Sequence, residues 1–533
     1  MGGNTTGSAN VAVGKDALLA NTTGGNNTAI GESTMEANTT GANNVAVGRG
    51  TMAANTEGDY NTAVGKAALD ANTTADGNTA IGNAALGSNT TGANNVGVGN
   101  SALNANTTGD LNTAVGKSAL TTNVAGDRAV AIGYQALATQ NPSGNVDTYN
   151  TAVGFNAMTA TTTGVNNTVV GALAGDAITT GGSNAVFGYK ALSKNTTASN
   201  NAAFGKSAME ENITGTSNTA MGTAACQANT GSKNTGIGYA TLNVSTTGGD
   251  NVAVGYQALL TNATAADNTA IGSNAMKLNT TGTANVGIGT SCLEANTTAS
   301  NNTAVGHAAL SSAQTGHSNI AMGYQAGLDV TTGNNNVILG HLAGESSVGI
   351  TTGIKNIVVG AHSHTSAVDS SSQIVMGYNV AGTGNNIMTV GVAANTASLA
   401  LDGSDTSWAA ASSDRRLKEN IETSTAGLAL VNDLRPVNYN WKKAKDVPTD
   451  MPQYVEGSDA PVLGYEYGKS QHGFIAQECK DVLDKHRDSL ADGFNLWIEK
   501  DDGTQTVSDG NLIPVLVKAI QELSAKVEAL ENS

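Results

Sequence analysis

A glycine that recurs at a fixed spacing constrains the fold of this chain more than any other feature. It closes an Asn-x-Ala-Val-Gly box, and 17 residues separate each closing glycine from the next between Gly14 and Gly133. The series resumes at Gly154 and runs to Gly391, and across the whole series 18 of 22 intervals equal 17. A unit this short cannot hold a helix pair, which needs about 30 residues or more, but it can hold two short strands and two turns.

We therefore expect each repeat to form one coil of a parallel β-roll, because its Asn-Thr-Thr-Gly end has the composition of a turn. The 23 closing glycines correspond to about 23 coils. Stacked at a strand spacing of about 4.8 Å, these coils would form a rod of roughly 110 Å over residues 1–391. An asparagine stands four residues before most closing glycines, from Asn10 to Asn356, and is expected to form hydrogen-bonded ladders between coils.

The strand within the box indicates an oligomer. Alanine and valine are adjacent there, so their side chains point to opposite faces and make both faces of the strand apolar. One face can line the roll with the leucines found four residues after many glycines, such as Leu69 and Leu86. Polar residues directly after the glycine, such as Lys15 and Glu32, are expected on a second, water-facing strand. The other apolar face needs a partner surface, and a closed homotrimer would bury it.

Charge and cysteine content narrow the range of partners and compartments. The formal net charge of −17 argues against nucleic acid and anionic membranes, because both require basic protein surface. Cys226, Cys292 and Cys479 are far apart and odd in number, which argues against a disulfide framework and fits a protein made in a reducing cytoplasm. We expect no signal peptide, and no apolar run is long enough to insert into a membrane.

The composition changes after Gly391 and predicts a junction over 392–412 and a small α/β domain over 413–533. Five of the six prolines and 14 of the 25 Lys and Arg residues lie beyond Ser413. A helix is expected over 427–434 and a strand over 437–441. The last segment has a heptad seam, which belongs either to a helix that packs on its own domain or to a trimeric coiled coil: Leu516, Ile520, Leu523, Val527 and Leu530.

Ser413 and Lys418 form the one arrangement that suggests chemistry. A serine becomes a nucleophile when a neighbouring amine, kept neutral by burial, accepts its proton. The peptide nearest to that hydroxyl is the Ser412–Ser413 bond, so self-cleavage there is the expected reaction, with Asp414 as a supporting group. A lysine with the ordinary pKa of about 10.4 is a poor base at neutral pH unless burial lowers that value. The alternative is a capped helix start with solvated charges.

Residues 413–421, Ser-Asp-Arg-Arg-Leu-Lys-Glu-Asn-Ile, resemble the opening of the C-terminal intramolecular chaperone domain of phage tail fibres and endosialidase tailspikes. The motif from His472 to Glu478 resembles the same family. The resemblance implies a domain that drives trimerisation, ends in a coiled coil and then cuts itself off just before Ser413. It implies a single-turnover Ser-Lys peptidase, not a multiple-turnover enzyme, and no cofactor.

The repeat box resembles the Asn-Ser-Val-Ala-Ile-Gly repeats in the heads of trimeric autotransporter adhesins, which are left-handed parallel β-rolls in a trimer. The resemblance covers about residues 7–391, although the adhesin repeats have a shorter period. Together the two resemblances imply a trimeric mainly β fibre with a C-terminal α/β chaperone.

The expected function is that of a phage tail fibre, assembled in the host cytoplasm and present in the virion. Its partners would be two further copies of the chain, other tail or baseplate proteins and a host cell-surface receptor. A bacterial trimeric surface adhesin is the main alternative, and the missing signal peptide counts against it. An ice-binding solenoid is a third possibility, but it offers no explanation for residues 413–533.

His362 and His364 are candidate metal ligands. Residues i and i+2 on a strand point the same way, so three chains could bring six imidazoles to one axis. Such a set would suit a transition metal. The alternative is a surface loop, because the two histidines lie in an irregular interval between closing glycines.

Overall fold

The computed structural model describes residues 2–345, 349–401, 409–410, 421–449, 451, 453–462, 470–490, 494, 496–499 and 504–533. The chain divides into two compact units, Met1–Ser412 and Ser413–Ser533. Within the described ranges, no helix has the length and hydropathy of a membrane span.

The first unit is a β-solenoid of about 22 turns, which confirms the mainly β fold predicted from the 17-residue period. Each coil contributes one short strand, and consecutive strands pair in parallel and in register, so that Ala63 lies beside Ala80. The coil strands are Val11–Val13, Thr28–Ile30, Val45–Val47, Thr62–Val64, Thr79–Ile81, Val96–Val98, Thr113–Val115, Val130–Ile132, Thr151–Val153, Thr168–Val170, Ala185–Phe187, Ala202–Phe204, Thr219–Met221, Thr235–Ile237, Val252–Val254, Thr269–Ile271, Val286–Ile288, Thr303–Val305, Ile320–Met322, Val337–Leu339, Ile357–Val359 and Ile374–Tyr378.

The regular stack of coil strands changes in two places, once within the solenoid and once at its C-terminal end. The long interval between Gly133 and Gly154 contributes an extra strand, Val146–Asp147, which pairs in parallel with Gly126–Asp127 of the preceding coil. At the other end of the solenoid, Ile387–Val392 continues the parallel stack and then pairs antiparallel with Asn395–Ala400. A final two-residue strand lies antiparallel to Asn395–Ala400: Ala409–Ala410.

The two faces of each coil strand differ in solvent exposure, because successive side chains of a strand point to opposite sides. In the coil strand before Gly65, Ala63 is fully buried, whereas Val64 is 38% exposed. Leu69, four residues after the glycine, is also fully buried, which confirms its predicted place inside the roll. The interior is thus a continuous column of small and aliphatic side chains, and the outward strand face is an apolar surface along the shaft.

Gly65 shows why the box ends in glycine. Its φ is 137°, a backbone conformation that side-chain-bearing residues rarely adopt. A Cβ on Gly65 would also lie 2.4 Å from the carbonyl oxygen of Gly82 in the next coil. Left-handed backbone and close approach between coils therefore both require glycine at this position.

The predicted second strand is wrong. The residues after the glycine form turns, and two of them have left-handed backbone, Ala67 with φ 53° and Leu69 with φ 52°. This side of the coil still bonds to its neighbour, since Leu69 N donates to Ala85 O at 3.0 Å. An extended strand advances about 3.3 Å per residue, and left-handed residues shorten that path. The shorter path lets 17 residues close one full coil while the coil-to-coil hydrogen bonds remain.

Two asparagine ladders run along the inside of the shaft, where the sequence predicted one. In the predicted ladder, Asn44 N donates to Asn27 Oδ1 at 3.0 Å and Asn44 Nδ2 donates to Gly58 O at 2.8 Å. The second ladder uses the first residue of Asn-Thr-Thr-Gly, where Asn38 Nδ2 donates to Asn21 Oδ1 at 2.8 Å. Each such hydrogen bond contributes about 0.5–1.5 kcal/mol net, and leaving a buried partner unpaired costs more.

Deletion of one whole coil, residues 48–64, is expected to leave a folded shaft. The deletion joins Val47 to Gly65, so both ladders stay continuous. Deletion of nine residues, 48–56, is expected to disrupt the shaft, because each buried amide that loses its partner costs about 1–3 kcal/mol. Thermal unfolding followed by circular dichroism compares the two variants. Better tolerance of the nine-residue deletion would mean that the 17-residue repeat is not the structural unit.

The described residues of the second unit form three helices, α1 (Leu428–Asp433), α2 (Ala476–Lys485) and α3 (Leu512–Glu531). The helix predicted over 427–434 corresponds to α1, and the strand predicted over 437–441 is shorter. The other elements described in this unit are two antiparallel strand pairs and three 3₁₀ turns: Val437–Tyr439 with Gln471–Gly473, Trp497–Glu499 with Gln505–Val507, and Ala444–Asp446, Arg487–Ser489 and Asp509–Asn511.

Candidate functional site

The predicted cleavage residues Ser412, Ser413, Asp414 and Lys418 lie outside the described residues. The described chain resumes at Ile421. The geometry that follows is therefore that of the scaffold directly after the predicted cleavage segment.

One apolar core joins the three helices of this scaffold. It includes Leu430 of α1 and Leu434 at the end of that helix, Cys479 of α2, and Leu512 and Val515 of α3, all buried. Because α1 packs directly on α3, the helix nearest to the cleavage segment is held by the helix that ends the chain.

A carboxylate from α3 satisfies the N-terminus of α1. The residue before α1, Gly427, supplies no side-chain cap. Glu522 Oε2 instead accepts a hydrogen bond from Leu428 N at 2.9 Å. The first amides of a helix have no partner within the helix, and its dipole favours negative charge at that end. A Cβ on Gly427 would lie 2.7 Å from Glu522 Oε2, so glycine permits the close approach.

Loss of this contact is expected to destabilise the second unit by about 1 kcal/mol, the usual cost of removing a helix cap. Glu522→Ala removes the acceptor, and Gly427→Ala pushes it away. The two effects should not add in the double variant, because both changes break one contact. Denaturant unfolding followed by tryptophan fluorescence reports this region, since all 3 tryptophans lie beyond the repeat. Glu528→Ala, on the exposed end of α3, is the control, and an equal loss there would contradict the capping role.

The heptad seam of α3 is exposed. The side of α3 that packs on its own unit uses Leu512, Val515 and Ala519, which are at most 6% exposed. The seam residues are different ones, and they are 42–75% exposed: Leu516, Ile520, Leu523, Val527 and Leu530. Packing on its own unit therefore does not account for the seam.

Ion pairs hold α1 against α2. Asp433 at the end of α1 lies 2.7 Å from Lys485 Nζ and 2.6 Å from His486 Nε2. These two hydrogen bonds, that of Lys485 first, hold the pKa of Asp433 below its ordinary value. Two residues after Asp433, the Arg435 guanidinium pairs with Glu478 of α2 and lowers the pKa of that carboxyl. The charges here are paired with each other, which suits a structural role for this surface.

The strand geometry predicted for His362 and His364 is wrong, since His362 lies in a turn with φ 58°. The His362 ring lies 5.2 Å from that of His341 and 6.0 Å from that of Tyr378, between ring centroids. His364 Nδ1 lies 2.8 Å from the carbonyl oxygen of Thr365. In the part of the chain that the structure describes, no group of three or more metal-binding side chains occurs. A metal held by several chains stays a prediction.

An aromatic strip runs along one edge of the shaft, at the position directly after the closing glycines. Tyr134 and Phe155 stack with centroids 5.3 Å apart, and Tyr239 and Tyr256 stack at 5.4 Å. The first coils carry Lys15 and Glu32 at this position, so the sequence pattern indicated only a polar surface. An alignment of all coils on their glycines finds the strip, which consists of Tyr134, Phe155, Tyr189, Tyr239, Tyr256, Tyr324 and Tyr378.

Comparison with known families adds one finding. Residues 413–488 match the family described as the chaperone of endosialidase. The match begins at Ser413 and includes α1 and α2. This match supports a C-terminal intramolecular chaperone after the β-solenoid, as the resemblance implied. No curated protein and no solved structure is significantly similar to the chain.

Proposed function

We propose that the chain is a subunit of a trimeric fibre, a phage tail fibre or a related virion appendage. Residues 1–391 form the shaft, and the C-terminal unit is an intramolecular chaperone that assembles three chains and then releases itself. The observation that carries this proposal is a chaperone-of-endosialidase domain directly behind a β-solenoid of about 22 turns.

Two apolar surfaces support the trimer. The seam of α3 has the 4-3-4-3 spacing of a coiled coil and is exposed in the single chain. The outward strand face of the shaft is also apolar, with residues such as Ile81 41% exposed and Ile132 39% exposed. A soluble monomer rarely exposes continuous apolar surface of this extent. Association of three chains in each unit would cover its exposed apolar surface.

The repeat itself explains the need for a chaperone. Neighbouring coils are so similar that two chains displaced by one coil would keep most of their contacts. A terminal unit that trimerises first sets the three chains level before the shafts pack. Its removal then makes unfolding effectively irreversible, so the stability of the finished fibre becomes kinetic.

Self-cleavage follows from one nucleophile and one base. The Ser413 hydroxyl oxygen attacks the carbonyl carbon of Ser412, and the Lys418 amine takes the hydroxyl proton. The peptide C–N bond breaks as the Ser413 nitrogen gains a proton, which leaves an ester between Ser412 and the Ser413 oxygen. Water hydrolyses that ester and separates the two fragments of the chain. Burial of Lys418 in the trimer would lower its pKa and make cleavage depend on assembly.

Host attachment is the proposed role of the finished shaft, with the aromatic strip as its candidate contact surface. Exposed aromatic residues are enriched where proteins bind partners, because a ring offers a large contact area at a small entropic cost. Other tail or baseplate proteins and a host surface receptor are the proposed partners, and the virion is the proposed location.

Sedimentation equilibrium of the Ser413→Ala variant, which is expected to stay uncut, tests the trimer. The expected mass is three times the chain mass, independent of concentration in the micromolar range. A stable monomer that keeps the circular dichroism of a folded β protein would contradict the proposed assembly.

A further inference from the structure

On the outward strand face of the shaft, two neighbouring coils carry side chains whose sizes differ from those in all the other coils. In the coil strands from Thr28–Ile30 to Ile357–Val359 the central residue is buried, so the first and third residues point outward. Nearly all coils have Val, Thr or Ile first and an aliphatic residue third. Two consecutive strands differ, Ala185–Phe187 and Ala202–Phe204, which have alanine first and phenylalanine third.

The two departures occur together. No other coil strand of the described shaft has alanine in the first position or phenylalanine in the third. Where one outward side chain is larger than usual, its neighbour on the same face is therefore smaller. Exposed surface tolerates changes in side-chain size with little effect on stability. A close-packed interface does not, since its volumes must match. The coupled change indicates that this face is packed against another surface.

The geometry of the two strands defines a projection and a recess. Ala185 pairs with Ala202, and Phe187 pairs with Phe204. The two phenyl rings stack with centroids 4.9 Å apart and planes at 9°, so they project as one block. Phe187 is 37% exposed. The two alanines form a recess that is also two coils long, on the same face and about two residues along the strand.

We propose that the Phe187–Phe204 block of one chain fits the Ala185–Ala202 recess of a second copy at the same level, and that this fit holds the shafts in the register that the terminal unit sets. The inference rests on the trimer proposed above. Alternation of large and small residues across facing positions is how packed layers interlock. A slip of one coil places one of the two rings against Thr168 or Thr219, where a branched side chain occupies the recess.

Disulfide trapping in the full-length chain tests the fit. Ala185→Cys with Phe187→Cys places two thiols roughly 6.5 Å apart on one strand. That separation is too long for a bond within one chain, since bonded cysteines have Cβ atoms about 3.5–4.5 Å apart. Mild oxidation should therefore replace the single-chain band by a three-chain band on non-reducing denaturing gels. The native thiols of the shaft, Cys226 and Cys292, are buried.

A matched pair controls for chance collisions. Ala185→Cys with Ile237→Cys also places two outward thiols on the same face, but three coils, or about 14 Å, apart along the axis. In-register chains should give no three-chain band from this pair. Each single variant can give two-chain bands at most, and its sedimentation shows whether the substitution itself preserves assembly.

The possible outcomes distinguish a failure of the register fit from a failure of the proposed trimer. A trimer that fails to link through 185 and 187, or links equally well through 185 and 237, overturns the register fit and leaves the trimer intact. A monomer in sedimentation of the unsubstituted chain overturns the proposed trimer, and the fit with it.

Discussion

Ser413→Ala is expected to give an intact chain of 533 residues, whereas the unsubstituted chain is expected to give fragments of 412 and 121 residues. The substitution removes the nucleophilic oxygen and keeps the β-carbon as a methyl group, so the fold and the trimer should persist. Lys418→Ala should give nearly the same result, because the hydroxyl then has no base to accept its proton. Mass spectrometry under denaturing conditions measures the fragments, and the smaller one should begin Ser-Asp-Arg-Arg.

Ser412→Ala is the matched control for the nucleophile. It changes the neighbouring serine, keeps the carbonyl that is attacked, and should still be cleaved. Cleavage that persists in purified Ser413→Ala would instead point to a host protease that acts on the linker. An unsubstituted trimer that stays intact would mean that the domain assists folding without cutting itself off. In that case the relationship to the chaperone family extends to assembly and not to chemistry.

The shaft was largely predictable because its information is periodic. The spacing of the closing glycines determined the coil length, and the adjacent Ala63 and Val64 indicated a strand with two apolar faces, one of which lines the roll. The prediction of a second strand failed for a physical reason. Leu69 adopts left-handed backbone although it is not glycine, and the closure of the whole coil imposes that conformation. No local propensity of leucine signals it.

The second asparagine ladder was missed for a related reason. Asn38 belongs to an Asn-Thr-Thr-Gly segment, and asparagine is common in turns that face water. Only stacking of the coils shows that this turn points its first side chain inward, where Asn38 meets Asn21 of the preceding coil. The interaction exists between coils, so one repeat read alone could not reveal it.

In the C-terminal unit, the local patterns were visible in the sequence and the long-range contact was not. The heptad spacing of α3 is a local pattern, and the order of its residues is enough to indicate a seam. The bond between Glu522 and Leu428 joins positions 94 residues apart. Its only local signal was Gly427, a residue that sequence reasoning treats as a simple helix boundary. The predicted roles of Ser413 and Lys418 depend on the resemblance and on the family match alone.

Ile520→Asp combined with Leu523→Asp is expected to abolish the trimer. Both residues belong to the exposed seam of α3, at 65% and 51% exposure. In a trimer the variant would bury six carboxylates at one axis, and each unpaired buried charge costs several kcal/mol. The unit itself should stay folded, because α3 packs on its own core through Val515 and Ala519. Sedimentation equilibrium should show monomers, and tryptophan fluorescence should show an intact second unit.

Ala525→Asp adds one carboxylate per chain to the same helix outside the seam, and it should leave both assembly and cleavage unchanged. In the seam variant, cleavage between Ser412 and Ser413 should be lost together with the trimer, since the proposed burial of Lys418 requires three chains. A seam variant that stays monomeric and still cleaves would break the link between assembly and chemistry, because Lys418 would then be active within one chain. A seam variant that stays trimeric would place the assembly contact in the shaft. The outward strand face would then have to align three nearly identical columns of coils without the chaperone, through size differences such as those at Ala185 and Phe187.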